Sequence, residues 1–390
     1  MTVPIHLVYL TGGNISMVRS TVLKRLTAVA VMGFVAVTAA ACGDDASEAD
    51  GGNGGGDGGT DIGVILPDAT TSPRWEANDR PSLEAAFDAA GVSYDIQNAQ
   101  GNVETFGQLC DQMIGAGVKV LMIVNLDQES GKACLDKATD AGVQSIDYDR
   151  LTPGGGASYY VSFDNVGVGR LMGEGLIAAL DEAGKAQANI VYVNGAATDN
   201  NASLFKSGYE EALASKIDSG DYTLVGDQSG EWDATKAGDV FEQMYTDNGG
   251  KVDGVISAND TMAGGVIARL KAAGVAGQIP VTGQDASVEG LQNILLGNQA
   301  GTVYKNTNLE ADAASQLAIA LIEGDEEGAA ALATGSVVDP DTGEDVPSAL
   351  ATPVWVTVEN IQQVFDDGFA TAADVCAGEV EAACADAGIS

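Results

Sequence analysis

From residue 61 onward the chain repeats one pattern: a short apolar run, a polar tip, then a stretch with helical periodicity. The runs DIGVIL (61–66), VLMIV (120–124), QSIDYD (144–149), YYVSF (159–163), NIVYV (189–193), TLVGD (223–227), GVISA (254–258) and PVTG (280–283) read as strands. Most are apolar throughout instead of alternating, which is the mark of parallel strands covered on both faces. Between them, 79–90, 103–116, 129–141, 166–182, 201–216, 233–247, 261–273 and 286–296 carry Ala, Leu, Val and Met at three- and four-residue spacing and are predicted helices. Such alternation predicts an α/β fold with doubly wound parallel sheets. At roughly 150 residues per domain, 390 residues fit two sheets in two lobes better than one very wide sheet.

The polar tips carry the chemistry. Asp149-Arg150, Asp164-Asn165, Asp199-Asn200-Asn201, Asp227-Gln228, Asn259-Asp260 and Asp285 all follow predicted strands, and open α/β sheets bind ligands beyond the carboxyl ends of their strands. Asp and Asn are also favoured helix N-caps, and Asp164 and Asp260 are read that way. Capping does not account for Arg150, Trp232 or Lys305. If the tips converge, one cleft holds Arg74, Arg150 and Lys305 as donors and Asp149 and Asp285 as acceptors. Asn201 and Asn259 serve as both, and Trp75 and Trp232 supply flat apolar faces. A sugar needs this mixture, because each hydroxyl both donates and accepts while the C–H faces of the ring pack on indoles. Trp355, inside ATPVWVTV, reads as an ordinary strand residue.

Several other functions are disfavoured. The single histidine is His6; if the front of the chain is removed, Ser-His-Asp triads, His-activated thiols and His-ligated zinc lose their central part. Asp plus Glu number 56 against 18 Lys plus Arg, a net charge of −38 that repels phosphate backbones, so no nucleic-acid partner is expected. Gly167-Val168-Gly169 is followed by Gly173 and lacks the dinucleotide fingerprint, and no GxxxxGK[ST] loop is present. Asp339, Asp341 and Asp345 around Gly343 resemble half a calcium loop, but Leu350 stands where the closing Glu of an EF-hand belongs; an acidic hairpin turn is expected there. Neither metal nor cofactor nor catalysis is predicted. The enzyme alternative is an exported glycosidase working through two carboxylates such as Asp149 and Asp285.

The front of the chain reads as an address. Residues 26–41 are almost wholly apolar and follow Arg19, Lys24 and Arg25, the layout of a secretory signal and shorter than the roughly 20 residues a spanning helix needs. Ala39-Ala40-Ala41-Cys42 resembles a bacterial lipoprotein signal, which predicts lipidation of Cys42; a plain secretory signal is the alternative. Met17 begins a more typical signal than Met1, so residues 1–16 are expected to lie upstream of the true start. Residues 43–60, rich in Gly and Asp, read as a flexible tether. Exported and held at the outer face of the membrane by a lipid alone, the protein would sit where disulfides form. Of the remaining cysteines, Cys110 is paired with Cys134 and Cys376 with Cys384, with free buried thiols as the alternative for the first pair.

RW at 74–75, SFDN at 162–165, DNNASLF at 199–205, GDQ at 226–228, SAND at 257–260, GQDA at 283–286 and TVYK at 302–305 occur in the order seen in type I periplasmic sugar-binding proteins. From 61 to about 370 the chain resembles that family, and within it the D-xylose-binding proteins of ABC importers. The tail from 359, with DGF at 367–369 and the pair Cys376 and Cys384, looks like the family's lipoprotein members. The resemblance implies two α/β lobes joined by three strands and closing on one monosaccharide, which a monomeric receptor hands to an ABC permease or a membrane sensor. It implies crossings near Phe163–Asn165, Lys305–Asn306 and Pro353–Thr357. An N-terminal lobe would then comprise 61–164 plus 306–352, and a C-terminal lobe 165–305 plus 353–390. By the same resemblance the sugar contacts fall on Arg74, Trp75, Asp149, Arg150, Asn201, Trp232, Asn259, Asp285 and Lys305.

Overall fold

The computed structural model describes residues 59–389; the predicted signal, the lipidation at Cys42 and most of the predicted tether lie outside the described residues. The first sheet takes five strands in succession, β1 (Ile62–Leu66), β2 (Tyr94–Asn98), β3 (Val120–Ile123), β4 (Gln144–Tyr148) and β5 (Tyr159–Phe163). The second is built on β6 (Ala188–Asn194), β7 (Tyr222–Ser229), β8 (Gly254–Ser257) and β9 (Thr302–Tyr304). The chain then returns to the first sheet with β10 (Gly335–Val338) and β11 (Asp345–Ala351), and ends in the second with β12 (Val354–Val356).

The first sheet has the order β10-β11-β5-β4-β3-β1-β2 and is parallel apart from the β10–β11 hairpin. The second has β7-β6-β8 in parallel, single parallel bridges at Val255–Val281 and Gln284–Val303, and an antiparallel β9–β12 ribbon. Both sheets are therefore doubly wound, as the alternation predicts. Four strands, β2, β9, β10 and β11, lie outside the predicted runs, and one predicted run is not a strand. PVTG (280–283) contributes one bridge instead of a strand, and β2, with its polar sequence YDIQN, lies at a sheet edge where one side needs no apolar cover.

Helices cover each sheet on two sides. In the first, α1 (Arg80–Ala90) packs on α9 (Thr307–Glu323) over one face, and α2 (Val103–Gly115) on α3 (Gln128–Asp140) over the other. Ile62, Val64 and Leu66 join the α1/α9 core, whereas Ile65 joins Leu121 and Ile123 under α2 and α3. In the second, α4 (Asn165–Glu182) pairs with α5 (Asn200–Asp218), and α6 (Ala234–Asp247) with α7 (Asp260–Ala273). Gly169 makes the α4–α5 approach possible, since a Cβ there would lie 2.0 Å from the Phe205 carbonyl oxygen; this glycine serves helix packing. Helix α9 lies beyond the last predicted helix. Its buried Ala311, Ala314, Leu317 and Ala318 at three- and four-residue spacing, with the Asn306 side chain as cap, are the signal that finds it.

The chain passes between the sheets three times, at 163–165, 304–307 and 351–354. The third passage overlaps the start of the expected Pro353–Thr357, and Val354–Val356 pairs with β9. Beyond it the tail packs against α8 (Val288–Leu295) through Val364, Phe369, Val375 and Cys384. Both disulfides form as paired from the sequence, Cys110–Cys134 tying α2 to α3 and Cys376–Cys384 closing the tail. Asp339–Glu344 forms the turn of the β10–β11 hairpin, with Asp339 accepting from the Asp341 and Thr342 backbone N–H groups. Among the described residues no helix is long and apolar enough to cross a membrane, and no cluster of His, Cys, Asp and Glu has the geometry to hold a metal.

Candidate functional site

The carboxyl ends of the two sheets meet around a small cavity. Arg74, Trp75, Asp149, Arg150, Asn201, Trp232, Asn259, Asp285 and Lys305 all line it, and each of them is buried. Thr71, Ser72, Asp199, Phe205 and Gln284 complete the wall.

Three of these residues have backbones in the left-handed region that L side chains rarely adopt: Asp149 (φ 63), Trp232 (φ 59) and Asp285 (φ 96). Such conformations persist where surrounding bonds over-determine them. At Asp149 those bonds are explicit, since its carbonyl accepts from Tyr160 Oη (2.9 Å), Ser162 Oγ (2.8 Å) and Asn201 Nδ2 (2.9 Å). The following turn is held by Asn125, whose Nδ2 donates to the Arg150 and Leu151 carbonyls and to Thr152 Oγ1. Trp232 is seated over Gly195, where a Cβ would lie 2.0 Å from the indole, and its edge meets Phe205.

The half built on the first sheet is a network of charges. Arg74 donates through Nε and Nη2 to both oxygens of Asp79 (2.9 and 2.7 Å), through Nη1 to Asp149 (2.8 Å) and through Nη2 to Glu310 (2.5 Å). Its guanidinium carbon stands 4.4 Å from the centre of the Trp75 ring. Asp149 is held down to about pKa 2, against the desolvation of its buried site, by the nearby charges of Arg74, Lys305 and Arg150 and the bond from Arg74. An anion so firmly ionised suits an acceptor of hydroxyl protons and not the acid that must protonate a leaving group. Burial pushes Glu310 well above the ordinary carboxylate range.

The half built on the second sheet is looser. Lys305 Nζ lies 3.2 Å from Asp285 Oδ1 and 3.9 Å from Asp149 Oδ2, over the Phe163 and Phe205 rings. Trp232 Nε1 and Gln284 Oε1 are buried with no hydrogen-bond partner among the described residues, and Asp285 Oδ1 has only the Lys305 charge. Buried polar atoms are almost always satisfied, so convergence of these on one cavity marks a place for a polar guest. The halves touch directly: Arg150 Nε pairs with Asp199 Oδ2 at 2.9 Å, Ser72 Oγ donates to Asp285 Oδ2 at 3.0 Å, and Asn259 Nδ2 donates to the Thr71 carbonyl at 3.1 Å.

Two assignments change. The cap of α7 is Asn259, which accepts from the Met262 N–H. Asp260, expected as the cap, is instead a buried hub accepting from the Ser287 N–H, Gln299 Nε2 and Thr302 Oγ1; burial, with Asp285 nearby, pushes it up to about pKa 7. It thereby joins the segments that carry Asn259, Asp285 and Lys305. Asp199 caps α5 and also meets Arg150, so the capping explanation for such residues is true and incomplete. Asp164 does cap α4.

A periplasmic binding protein domain matches residues 62–326. The D-xylose-binding periplasmic protein of Escherichia coli (strain K12) is 34% identical over 310 residues, covering 79% of this chain and 90% of that protein. The multiple sugar-binding periplasmic receptor ChvE of Rhizobium radiobacter is 32% identical over 328 residues, 79% of this chain and 89% of its own. Among solved structures, a carbohydrate transporter solute binding protein from Chloroflexus aurantiacus in complex with D-glucose superposes with a TM-score of 0.73 at 28% identity, over 80% of this chain and 97% of that one. On the match of the domain and the extent of these likenesses, the chain belongs to the periplasmic binding protein family.

Proposed function

We propose that this protein is an extracytoplasmic receptor that captures one monosaccharide, D-xylose in the first instance, and delivers it to an ABC permease. The observation that carries the reading is the wall of the cavity: charged and amide side chains from both sheets interleaved with two indoles, with partnerless polar atoms on one side. Hydrogen bonds to charged groups contribute roughly 1.5–3 kcal/mol each. A handful therefore outweighs the roughly 8 kcal/mol of micromolar binding even after ordering costs. The choice of D-xylose draws on the E. coli relative, a D-xylose-binding protein.

The two sheets with their helices act as lobes, 61–164 plus 306–352 and 165–305 plus 353–390, and the three passages between them act as the hinge. A sugar that bridges both lobes favours the closed state by the contacts it gains only there. Lipidation of Cys42 would hold the receptor at the outer face of the membrane, as a monomer. A second reading, a receptor for glucose, galactose or arabinose that feeds a membrane sensor, draws on the sugar range in the name of the ChvE relative. A thermal-shift screen of monosaccharides separates the two: D-xylose alone should raise the melting temperature under the first reading, several aldoses under the second. Stabilisation by none of them would end both, and release of the phenol from an aryl xyloside would replace them with a glycosidase.

A further inference from the structure

Behind the cavity wall, three buried carboxylates converge on one guanidinium: Asp79, Asp149 and Glu310 all reach Arg74 within 2.9 Å. The other ionisable groups around Glu310 are Tyr148 on β4, Tyr160 on β5 and Lys305 after β9. Arg74 carries one positive charge for three acids, Lys305 is shared with Asp285, and Arg150, which also faces Asp149, is paired with Asp199. Three neighbouring carboxylates out of water cannot all be ionised beside so little compensation, so one retains its proton.

The bonding identifies which. Asp79 binds Arg74 through both oxygens and also accepts from Tyr148 Oη at 2.6 Å. Asp149 has Arg74 and Lys305 as cationic neighbours. Glu310 has a single contact, its Oε1 has no partner among the described residues, and it is fully buried on α9.

We propose that Glu310 is a positioning residue that works as a neutral acid: its carbonyl oxygen orients Arg74 without adding a third negative charge to the cluster. A guanidinium has five N–H donors, and four of those on Arg74 are engaged by these three side chains. One Nη1 hydrogen remains for a ligand in the cavity. An ionised Glu310 would draw the guanidinium toward α9 and away from that position. Burial favours the same protonation state. The sugar part of this inference rests on the proposed function; the protonation part does not.

The test compares wild type, Glu310→Gln and Glu310→Ala in two measurements. The first is unfolding of sugar-free protein from about pH 5 to about pH 9, where an unfolded Glu is ionised. A native Glu310 that keeps its proton releases it on unfolding, so wild type loses stability with rising pH relative to Glu310→Gln, and the melting temperature of Glu310→Gln minus that of wild type rises across the range. A difference that is constant or falls overturns the proposal. The second is calorimetry with D-xylose near neutral pH. Glu310→Gln should stay within about threefold of wild type while Glu310→Ala weakens binding by about tenfold or more, the factor of a lost hydrogen bond to a charged group. Equal loss in both variants overturns the positioning role. If wild type binds no sugar, the proposed function fails, and the unfolding series still decides the protonation state.

Discussion

The two halves of the cavity reach burial by opposite routes. The half on the first sheet is densely cross-linked, with Arg74 committed to Asp79, Asp149 and Glu310 and the Asp149 carbonyl receiving three donors. The half on the second sheet keeps Trp232 Nε1 and Gln284 Oε1 unpartnered and leans on aromatic rings. The first is a preorganised electrostatic plate, rigid because each member fixes the next. Under the proposed function the second is the receptive plate, where a ligand gains most at Trp232 Nε1 and Gln284 Oε1, which lack competing partners. Substitutions that break the ion pairs supporting the first half should therefore act mainly on stability, and those of groups that face the proposed guest mainly on affinity.

Arg74→Ala should have the largest effect. It strands three buried carboxylates, and breaking a buried ion pair typically destabilises by about 3–5 kcal/mol; chemical denaturation should show a loss of that size. A loss below about 1 kcal/mol, the scale of an exposed pair, would erase the contrast. Asp285→Asn, in the receptive half, should weaken xylose binding by about ten- to a hundredfold, the equivalent of one charged hydrogen bond, with a much smaller shift in melting temperature; equilibrium binding and unfolding on one preparation check the split. Gly195→Ala should be milder. Its Cβ would meet the Trp232 ring at 2.0 Å, so the indole must move, and affinity should fall by about tenfold while denaturation stays near wild type.

The smallest effects concern pH. Asp147, which accepts from the Thr152 N–H and Oγ1 beneath the first half, and Asp260, the hub of the second, are both pushed up to about pKa 7, chiefly by burial. Each ordinarily titrates at 3.8. Above that value the unfolded chain releases a proton that the native one keeps, so their contribution to stability is complete in acid and is lost as pH rises to about 7. Asp149, held down to about 2, runs the other way: its contribution is present above 3.8 and disappears as pH falls through about 2. Denaturant titrations of Asp147→Asn and Asp260→Asn across the acid-to-neutral range should show a shallower decline than wild type. A decline unchanged in both variants would remove these two acids from the pH response.

The sequence made the lobes and the cavity-facing groups legible for related physical reasons. Parallel strands buried on both faces announce themselves as apolar runs, and residues such as Arg150, Trp232 and Lys305 at strand tips have no explanation in capping. Arg74 and Trp75 enter the same way, as a cation and an indole at the junction ahead of the first helix, and the resemblance assigns both to the sugar contacts. Glu310 escaped because it touches the cavity only through Arg74, and a Glu in the first turn of a helix is an ordinary find. Asp199 escaped because its capping role is real. Asp260 was legible as polar and adjacent to a helix start, but the three donors it gathers from Ser287, Gln299 and Thr302 are distant in sequence. What a sequence conceals here is mostly the support behind a contact, since support is a matter of long-range convergence.

The central claim is that both plates grip one sugar ring between them. Calorimetric titration of D-xylose into wild type, Asp285→Ala and Arg150→Ala tests it most directly. The account predicts saturable one-to-one binding by wild type and large losses of affinity in both variants, one drawn from each plate. Wild-type affinity retained in both would contradict it.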